Sequence, residues 1–596
     1  MKLIIREYLS SLKERGELDA MLPDLLSQLG LNVFSRPARG TRQHGVDVGA
    51  VGSLDGGPEK VYLFSIKPGD LTRRDWDGES AQSLRPSLNE ILDSYIPNRL
   101  PVEHRGKDIV ICIALGGDVQ EQVRSSLVGF TVQNSKPSIT FEEWNGDKLA
   151  NYIQASFLRE DLLPEDARSH LRKSLAMLDE PDVSFRHFAS LIRSLADMDA
   201  PKDAQRITAI RQMSICLWIL HAWAREAENT ESAYRAGEFT LLHGWSIAKS
   251  YAGEDTKTGR AIIAAFFSIF SAYRRICTEF LSRNVLPYVD KLHAVSSAVH
   301  GSCGLDTNLK LFDLLGRLAV DGLWAYWGAQ RCTDEEAEIK DAMLAEADKY
   351  ADAIRLLVDN NPVLMLPAKD EQAIDVCIAC SLLMINAGNR AFVQTWLADM
   401  LNRAMLAFEC HSTYPCVLRS YSELLEHPKS RDAEYRRNAT SGSILYPFIA
   451  LWAALLEEEE TYAQVSSMQR ELMPHCTFQF WYPDERSEAH FYTNSDIHGA
   501  TLANLAIDHS REEFLEQVFG ECNQSPHFQE LSAVRFGWWL LIIVACRHYR
   551  LPPPLHLLQG LRRPVKSGGA EEDTCNVENE SVHPVSAFPD TAIQPA

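Results

Sequence analysis

The sequence predicts an α/β domain at the N-terminus followed by a large all-α domain built as an array of helices. Three observations carry that expectation. Residues 1–160 alternate short helical and strand-like segments, whereas residues 165–560 are a succession of helix-length amphipathic stretches punctuated by Pro, Gly and Asn. The chain is 596 residues long, 45% hydrophobic and 23% charged, the composition of a folded protein with about three or four domain-sized units.

Apolar residues at Leu18, Met21, Leu22, Leu25, Leu26 and Leu29 form a helical stripe over 18–29, closed by Gly30. Residues 31–35 and 46–51 are strand-like, and 61–67 (VYLFSIK) is rich in β-branched and aromatic side chains. Residues 76–95 read as one helix. The continuous apolar run 108–115 (DIVICIAL) is what a strand covered on both faces requires. A further strand at 138–144 precedes Gly146 and a helix from Asp147. Beyond residue 165, helices are expected over 183–195, 205–226, 234–251, 260–281, 309–327, 334–358, 371–386, 391–408, 444–458 and 528–547, with no fixed repeat period. The tail 564–596 is rich in Gly, Ser, Pro, Glu and Asp and is expected to be disordered.

The net charge is −22, from 59 Lys plus Arg against 81 Asp plus Glu. That balance excludes a general nucleic-acid coat, which needs a basic surface. Residues 1–160 hold 19 basic and 22 acidic groups, so the acidity belongs to the helical remainder. The N-terminus shows no apolar h-region, and the longest apolar runs, 261–273 and 536–546, are shorter than a bilayer span, so a cytoplasmic protein without a membrane segment is expected. The thirteen cysteines are scattered; Cys377 and Cys380 form a C-x-x-C inside an apolar helix without a second pair, which reads as core thiols. The stretch 478–492, with His498, gathers aromatic, acidic and His residues and reads as a connection with buried aromatics, or else a second pocket. P-loop, Rossmann, zincin and nucleophile-elbow motifs are absent.

One constellation carries chemistry. Asp47 lies in GVDVGAV, and eighteen residues after it comes Ser65-Ile66-Lys67 at the end of a strand. If the two strands pair, Asp47 and Lys67 converge at one end of the sheet, and Ser65 and Lys67 share a face because the strand period is two. A carboxylate and an ammonium beside a divalent metal can hydrolyse a phosphodiester: the carboxylate binds Mg²⁺ (or Mn²⁺), the metal acidifies a water, and the lysine orients or deprotonates it. Arg36, Arg39 and Arg42 precede Asp47, and Arg73 and Arg74 follow Lys67. They suit phosphate contacts or are solvated loop residues.

The segment resembles the restriction-endonuclease-like PD-(D/E)-x-K superfamily, Mrr-like branch, over the N-terminal quarter of the chain. Residues 18–30 look like its first helix, Gly45-Val46-Asp47 like its metal-ligand strand, Ser65-Ile66-Lys67 stands at its (Asp/Glu/Gln)-x-Lys, and 141–149 resembles its closing strand and helix. The resemblance implies that Asp19 is an acidic helper, Asp47 a metal ligand and Lys67 the catalytic lysine of a nuclease acting on DNA in restriction or antiphage defence. The helical domain would then be its regulator, binding a protein partner or a second copy. Ser65 departs from the pattern. Some enzymes of the superfamily with Ser-x-Lys supply the missing glutamate from the following helix, and Glu79 falls twelve residues after Lys67, with Asp70, Asp75 and Asp77 as weaker substitutes. Glu79 as ligand, Ser65 acting through water, and an inactive site all remain open. The alternative reading is a non-catalytic nuclease fold whose acidic helical scaffold mediates protein interactions.

Overall fold

A computed structural model of the chain describes residues 5–561, apart from 7–8, 11, 13, 15–17, 37–43, 55, 79–82, 157–164, 198–201, 300, 495–498, 503–504 and 506. The tail expected to be disordered therefore lies outside the described residues. Two compact units, Met1–Ile276 and Cys277–Ala596, divide the chain.

The first unit holds a five-stranded mixed sheet in the order β1 (Asn32–Ser35), β2 (Val48–Ser53), β3 (Glu59–Lys67), β4 (Ile109–Leu115), β5 (Ile139–Trp144). β1–β3 form an antiparallel meander, and β3–β5 are parallel. Parallel neighbours need a crossover. Here the crossovers are helical: α2 (Arg73–Asp77) and α3 (Leu84–Glu90) from β3 to β4, and α4 (Glu121–Asn134) from β4 to β5. These helices bury Trp76, Leu84, Leu88, Val123, Leu127 and Phe130 against Val61, Leu63, Ile109, Ile111, Ile113 and Leu115 on one sheet face. On the other face lie α1 (Asp19–Gln28) and α5 (Gly146–Ser156), where Phe64 meets the Trp144 ring edge-on at 5.0 Å. Every residue of β4 is buried, as its unbroken apolar run requires.

The helix expected over 76–95 is divided. Thr72 and Asp75 cap α2 reciprocally, and α2 stops at Gly78, where a Cβ would sit 2.4 Å from the Arg74 carbonyl oxygen. After α3 the backbone widens into a π-helical stretch, Ile91–Arg99, containing Pro97. Proline has no N–H to donate and crowds the preceding turn, and the wider turn relieves both. β2 begins at Val48 rather than 46, because His44 (φ 50°) and Gly45 (φ 81°) turn the chain just before it.

Helices α6 (Glu165–Ala176), α7 (Pro181–Ala196), α8 (Asp203–Glu226), α9 (Glu231–Ala248) and α10 (Lys257–Asn284) follow, and the unit boundary falls inside α10. Within the first unit, Gln28 of α1 is bonded to Thr208 (3.3 Å) and Arg211 (3.0 Å) of α8, and Ser268 of α10 donates to Asp24 of α1. α6 was not expected from the sequence. The segment Lys257–Tyr288 is, by length and composition, the one helix among the described residues apolar enough to cross a membrane, with 44% of its apolar window buried. Its buried residues Ile262, Phe266, Ile269, Tyr273, Ile276 and Phe280 recur every three or four positions, the stripe of a helix packed on one face.

In the second unit α11 (Gly304–Gln330) packs against α12 (Ala337–Asn360), α13 (Ala373–Leu383) and α18 (Leu540–Tyr549). Between α13 and α18 come α14 (Arg390–Glu409), α15 (Leu445–Leu455), α16 (Glu459–Glu471) and α17 (Arg511–Gln524). Cys377 and Cys380 are buried in α13, and burial pushes the Cys377 thiol up to about 12. The stretch 478–492 forms short strands and turns with Phe478, Phe480, Trp481, Tyr482, Phe491 and Tyr492 all buried; His498 lies outside the described residues. Two expectations are corrected. The helix expected over 528–547 is three, His527–Glu530, Ser532–Arg535 and α18, because Gly537 (φ 72°) breaks the run and its carbonyl accepts the Trp327 indole N–H at 2.7 Å. The helix expected over 444–458 ends at Leu455: Glu457 turns the chain in the left-handed region (φ 55°), and Glu459 and Glu460 open α16, where the helix dipole favours them.

His556, in the terminal turn Leu555–Leu561, gives this unit an acid-sensitive contact. Its Nε2–H donates to the Cys522 carbonyl at 3.1 Å, its ring stacks on Phe528 at 4.4 Å, and its Nδ1 is buried with no hydrogen-bond partner among the described residues. Burial, opposed by the Cys522 and Ser525 carbonyls, lowers its pKa to about 4 from the ordinary 6.5. The unfolded chain therefore binds this proton more readily than the folded one. The contribution is complete above pH 6.5 and is lost as pH falls toward 4, a change of about 3 kcal/mol. Urea unfolding of wild type and His556→Gln between pH 7.5 and 4 checks this: the variant's stability should fall less steeply with acid, and parallel curves would remove His556 as the cause.

Candidate active site at the end of the sheet

Asp47 enters β2 through two backbone constraints. Its N–H donates to the Phe64 carbonyl at 2.8 Å, and its Oδ2 accepts the Ile66 N–H at 2.8 Å. The ladder proper starts one residue later, with Val48 paired to Phe64, so Asp47 meets the same Phe64 and stands just outside the regular register. Along β3 the two-residue period puts Ser65 and Lys67 on one face. The β2–β3 pairing anticipated from the sequence exists, and it brings Asp47 to the C-terminal end of β3, where its carboxylate meets the Ile66 amide and the Lys67 charge acts on it.

Lys67 is 7% exposed, and its ammonium donates to Glu14 Oε2 at 3.2 Å. Glu14 was not singled out in the sequence. It arrives because the N-terminal segment runs over the end of the sheet: a Cβ on Gly116, just after β4, would stand 2.4 Å from the Leu9 carbonyl oxygen. Only glycine permits that approach. Asp19, first residue of α1, is half-buried and also acts on Asp47. Burial pushes the Asp47 carboxyl up to about 6; the Ile66 N–H and the Lys67 charge oppose the rise, and Glu14 and Asp19 add to it. Asp47 is thus mainly ionised at pH 7. Ser65 is 1% exposed, and its hydroxyl has no hydrogen-bond partner among the described residues.

Glu79, Arg39 and Arg42 lie outside the described residues. The weaker substitutes for the missing acid are engaged elsewhere. Asp70 accepts the Asp118 N–H at 2.8 Å, Asp75 caps α2, and Asp77 pairs with Arg85 at 3.1 Å. Arg73 and Arg74 are exposed on α2, whereas Arg36, also exposed, follows β1 within the electrostatic reach of Asp24 and Arg211.

Among the described residues no three His, Cys, Asp or Glu side chains converge closely enough to enclose a metal ion. Mg²⁺ asks for less, since one or two carboxylates, waters and substrate phosphate oxygens commonly complete its shell. Asp47 meets that demand with Oδ1, which has no hydrogen-bond partner among the described residues, and Glu14 and Asp19 are the neighbouring carboxylates able to join it. No model of a known family, no curated protein and no solved structure matches this chain.

Proposed function

We propose that the first unit is a Mg²⁺- or Mn²⁺-dependent nuclease that cleaves DNA in the cytoplasm as a restriction or antiphage effector, and that the second unit controls it through a protein partner or self-association. The observation that carries the reading is the meeting of Asp47 and Lys67 at the C-terminal end of β3, where the Asp47 carboxylate accepts the Ile66 N–H and the charges of Lys67, Glu14 and Asp19 all act on it. A structural sheet has no need of a buried lysine there. The β1–β5 topology, an antiparallel meander continued by two parallel strands, is also compatible with the family that the sequence resembles.

A metal bound at Asp47 would supply Lewis acidity at the phosphoryl oxygen and a water of lowered pKa. The chain's own part follows from the geometry. The Ile66 amide fixes one Asp47 oxygen and leaves the other directed by the strand. Once released from Glu14, the Lys67 ammonium can hold the attacking water or a phosphate oxygen, and the exposed Arg73 and Arg74 can position the DNA backbone. Residues 1–276 carry 34 Lys plus Arg against 37 Asp plus Glu, and residues 277–596 carry 25 against 44, so the charge opposing DNA lies in the second unit. Two observations favour the rival reading of a non-catalytic scaffold: Ser65 offers a poor metal ligand, and Lys67 is already neutralised by Glu14.

Incubation with supercoiled plasmid and Mg²⁺ or Mn²⁺, with RNA in parallel, tests the proposal. Wild type should nick or linearise the plasmid and Asp47→Asn should not. Unchanged cleavage by Asp47→Asn would reject the site, and an inert wild type would favour the scaffold.

A further inference from the structure

The hairpin of α6 and α7 in the first unit gathers basic side chains that no acid answers. Its helices are pinned together by Ser184, whose hydroxyl donates to the Ser174 carbonyl at 2.9 Å, both residues being wholly buried. One turn further along, His170 of α6 and His187 of α7 meet, Nδ1 to Nδ1, at 3.3 Å. Burial first, and then its electrostatic neighbours, lower the His187 pKa; those neighbours are all basic, His170 and Lys173 of α6 and Arg186 of its own helix. No group of α8 or α9, which pack against the hairpin, is among them. The described acids of the hairpin, Asp179, Glu180 and Asp182, stand at or beside its turn, and Asp182 is paired with Arg235 of α9.

Lys173 and Arg186 are exposed, and their side chains have no hydrogen-bond or ion-pair partner among the described residues. Arg193, two helical turns beyond Arg186, lies about 10.5 Å further along the same side of α7. It is exposed too, with its guanidinium over the Phe239 ring at 5.0 Å. Like charges gathered on one helical face are destabilising, so packing within the chain gives no reason for the arrangement. A basic stripe on a rigid helical face is the electrostatic footprint of a polyanion site. It stands here in a chain whose net charge is −22. Backbone phosphates are met at the surface, so accessible side chains are what such a site requires.

We propose that this face of the α6–α7 hairpin binds the phosphate backbone of duplex DNA, with Lys173, Arg186 and Arg193 on the phosphates and the His170–His187 pair beside them. The choice of DNA among polyanions rests on the nuclease reading of the first unit. The surface shares no residue with the candidate site, so it holds the duplex while the sheet end acts on it. Backbone contacts position a duplex without reading its sequence. A bound phosphate also offsets the positive charge around His187. Binding therefore draws a proton to the histidine pair, and it tightens as pH falls from 7.5 to 6.

Fluorescence anisotropy of a short labelled DNA duplex, titrated with the full chain in EDTA over a salt series, tests it without cleavage. Lys173→Glu combined with Arg186→Glu, both at exposed positions, should fold as wild type does and weaken binding roughly tenfold or more. Its salt dependence should fall by about two released counterions. Lys340→Glu combined with Lys349→Glu makes the same charge change at exposed positions of α12 and should leave binding nearly unchanged. His187→Gln should reduce the pH dependence, and equal pH slopes in the two proteins would strike the histidine pair from the surface. A wild type that does not bind, or a hairpin variant that binds like wild type or like the α12 variant, would overturn the proposal. So would poly-glutamate bound as tightly as DNA, which marks a face for acidic protein. The plasmid assay separates this inference from the nuclease reading. Cleavage with hairpin-independent binding removes the surface alone, and hairpin-dependent binding without cleavage removes the nuclease alone.

Discussion

Replacing Lys67 by Met should reduce metal-dependent plasmid cleavage by about 10²–10⁴-fold, the range for losing a positioned proton-transfer group. The fold should persist, since Lys67 ends β3 and the thioether occupies the volume of its stem. Its ammonium donates to Glu14 at 3.2 Å, and its charge acts on the Asp47 carboxylate. Removing the amine therefore removes a buried charge together with its chemistry, and stability should change far less than rate. The pairing with Glu14 gives the experiment a second arm. Glu14→Gln keeps a hydrogen bond to Lys67 but lowers the negative charge beside Asp47. If Glu14 joins Asp47 around the metal, the metal concentration for half-maximal cleavage rises in Glu14→Gln. If Glu14 only restrains Lys67, cleavage is unchanged or faster at the same metal concentration. Single-turnover cleavage across a Mg²⁺ series, with circular dichroism to verify folding, separates these outcomes. A Lys67→Met enzyme that cleaves at the wild-type rate would show that the lysine is structural.

Much of the sheet was legible before any coordinates, and particular residues show why. The run Ile109–Leu115 could be recognised as a doubly covered strand because no polar position interrupts it. The approach of Asp47 to Lys67 could be anticipated from two strands paired through a short connection, but strand period alone missed that Asp47 stands just outside the ladder, with its N–H on the Phe64 carbonyl. Glu14 was illegible: it is one acid among Glu7, Glu14 and Glu17, in no periodic pattern, and its position depends on Gly116 admitting the Leu9 backbone from far along the chain. The grouping of α6–α10 with the sheet was hidden for a related reason. Amphipathic stripes look alike on both sides of residue 276, and contacts such as Gln28 with Thr208 and Arg211 are set by tertiary packing. The break at Gly537 was obscured by the apolar side chains around it, since hydrophobic periodicity is insensitive to one positive φ.

The largest stability effect is expected at Asp313. Asp313→Asn should destabilise the second unit by about 3–5 kcal/mol, the cost of leaving buried charges without their partner. Arg317 and Arg547 are 1% and 4% exposed, and both guanidiniums converge on this one carboxylate at 2.7 and 2.6 Å. Burial pushes the Asp313 carboxyl up, but Arg317, Arg547 and Lys310 together outweigh it and hold the group well below the usual carboxylate range. Asparagine keeps the shape, removes the charge, and turns an N–H₂ toward one of the guanidiniums. The loss should therefore be repulsive as well as a missing attraction. That distinction can be measured. Arg547→Met in the Asp313→Asn background removes one of the two guanidiniums left facing the amide while retaining most of the buried stem, so the double variant should recover part of the lost stability rather than add to the loss. Urea unfolding followed by tryptophan fluorescence compares the three proteins. If the double variant is less stable than Asp313→Asn, Arg547 has anchored α18 through contacts independent of Asp313; a loss below about 1 kcal/mol in the single variant would mean that water reaching the part-exposed position 313 solvates the guanidiniums as well as the carboxylate does.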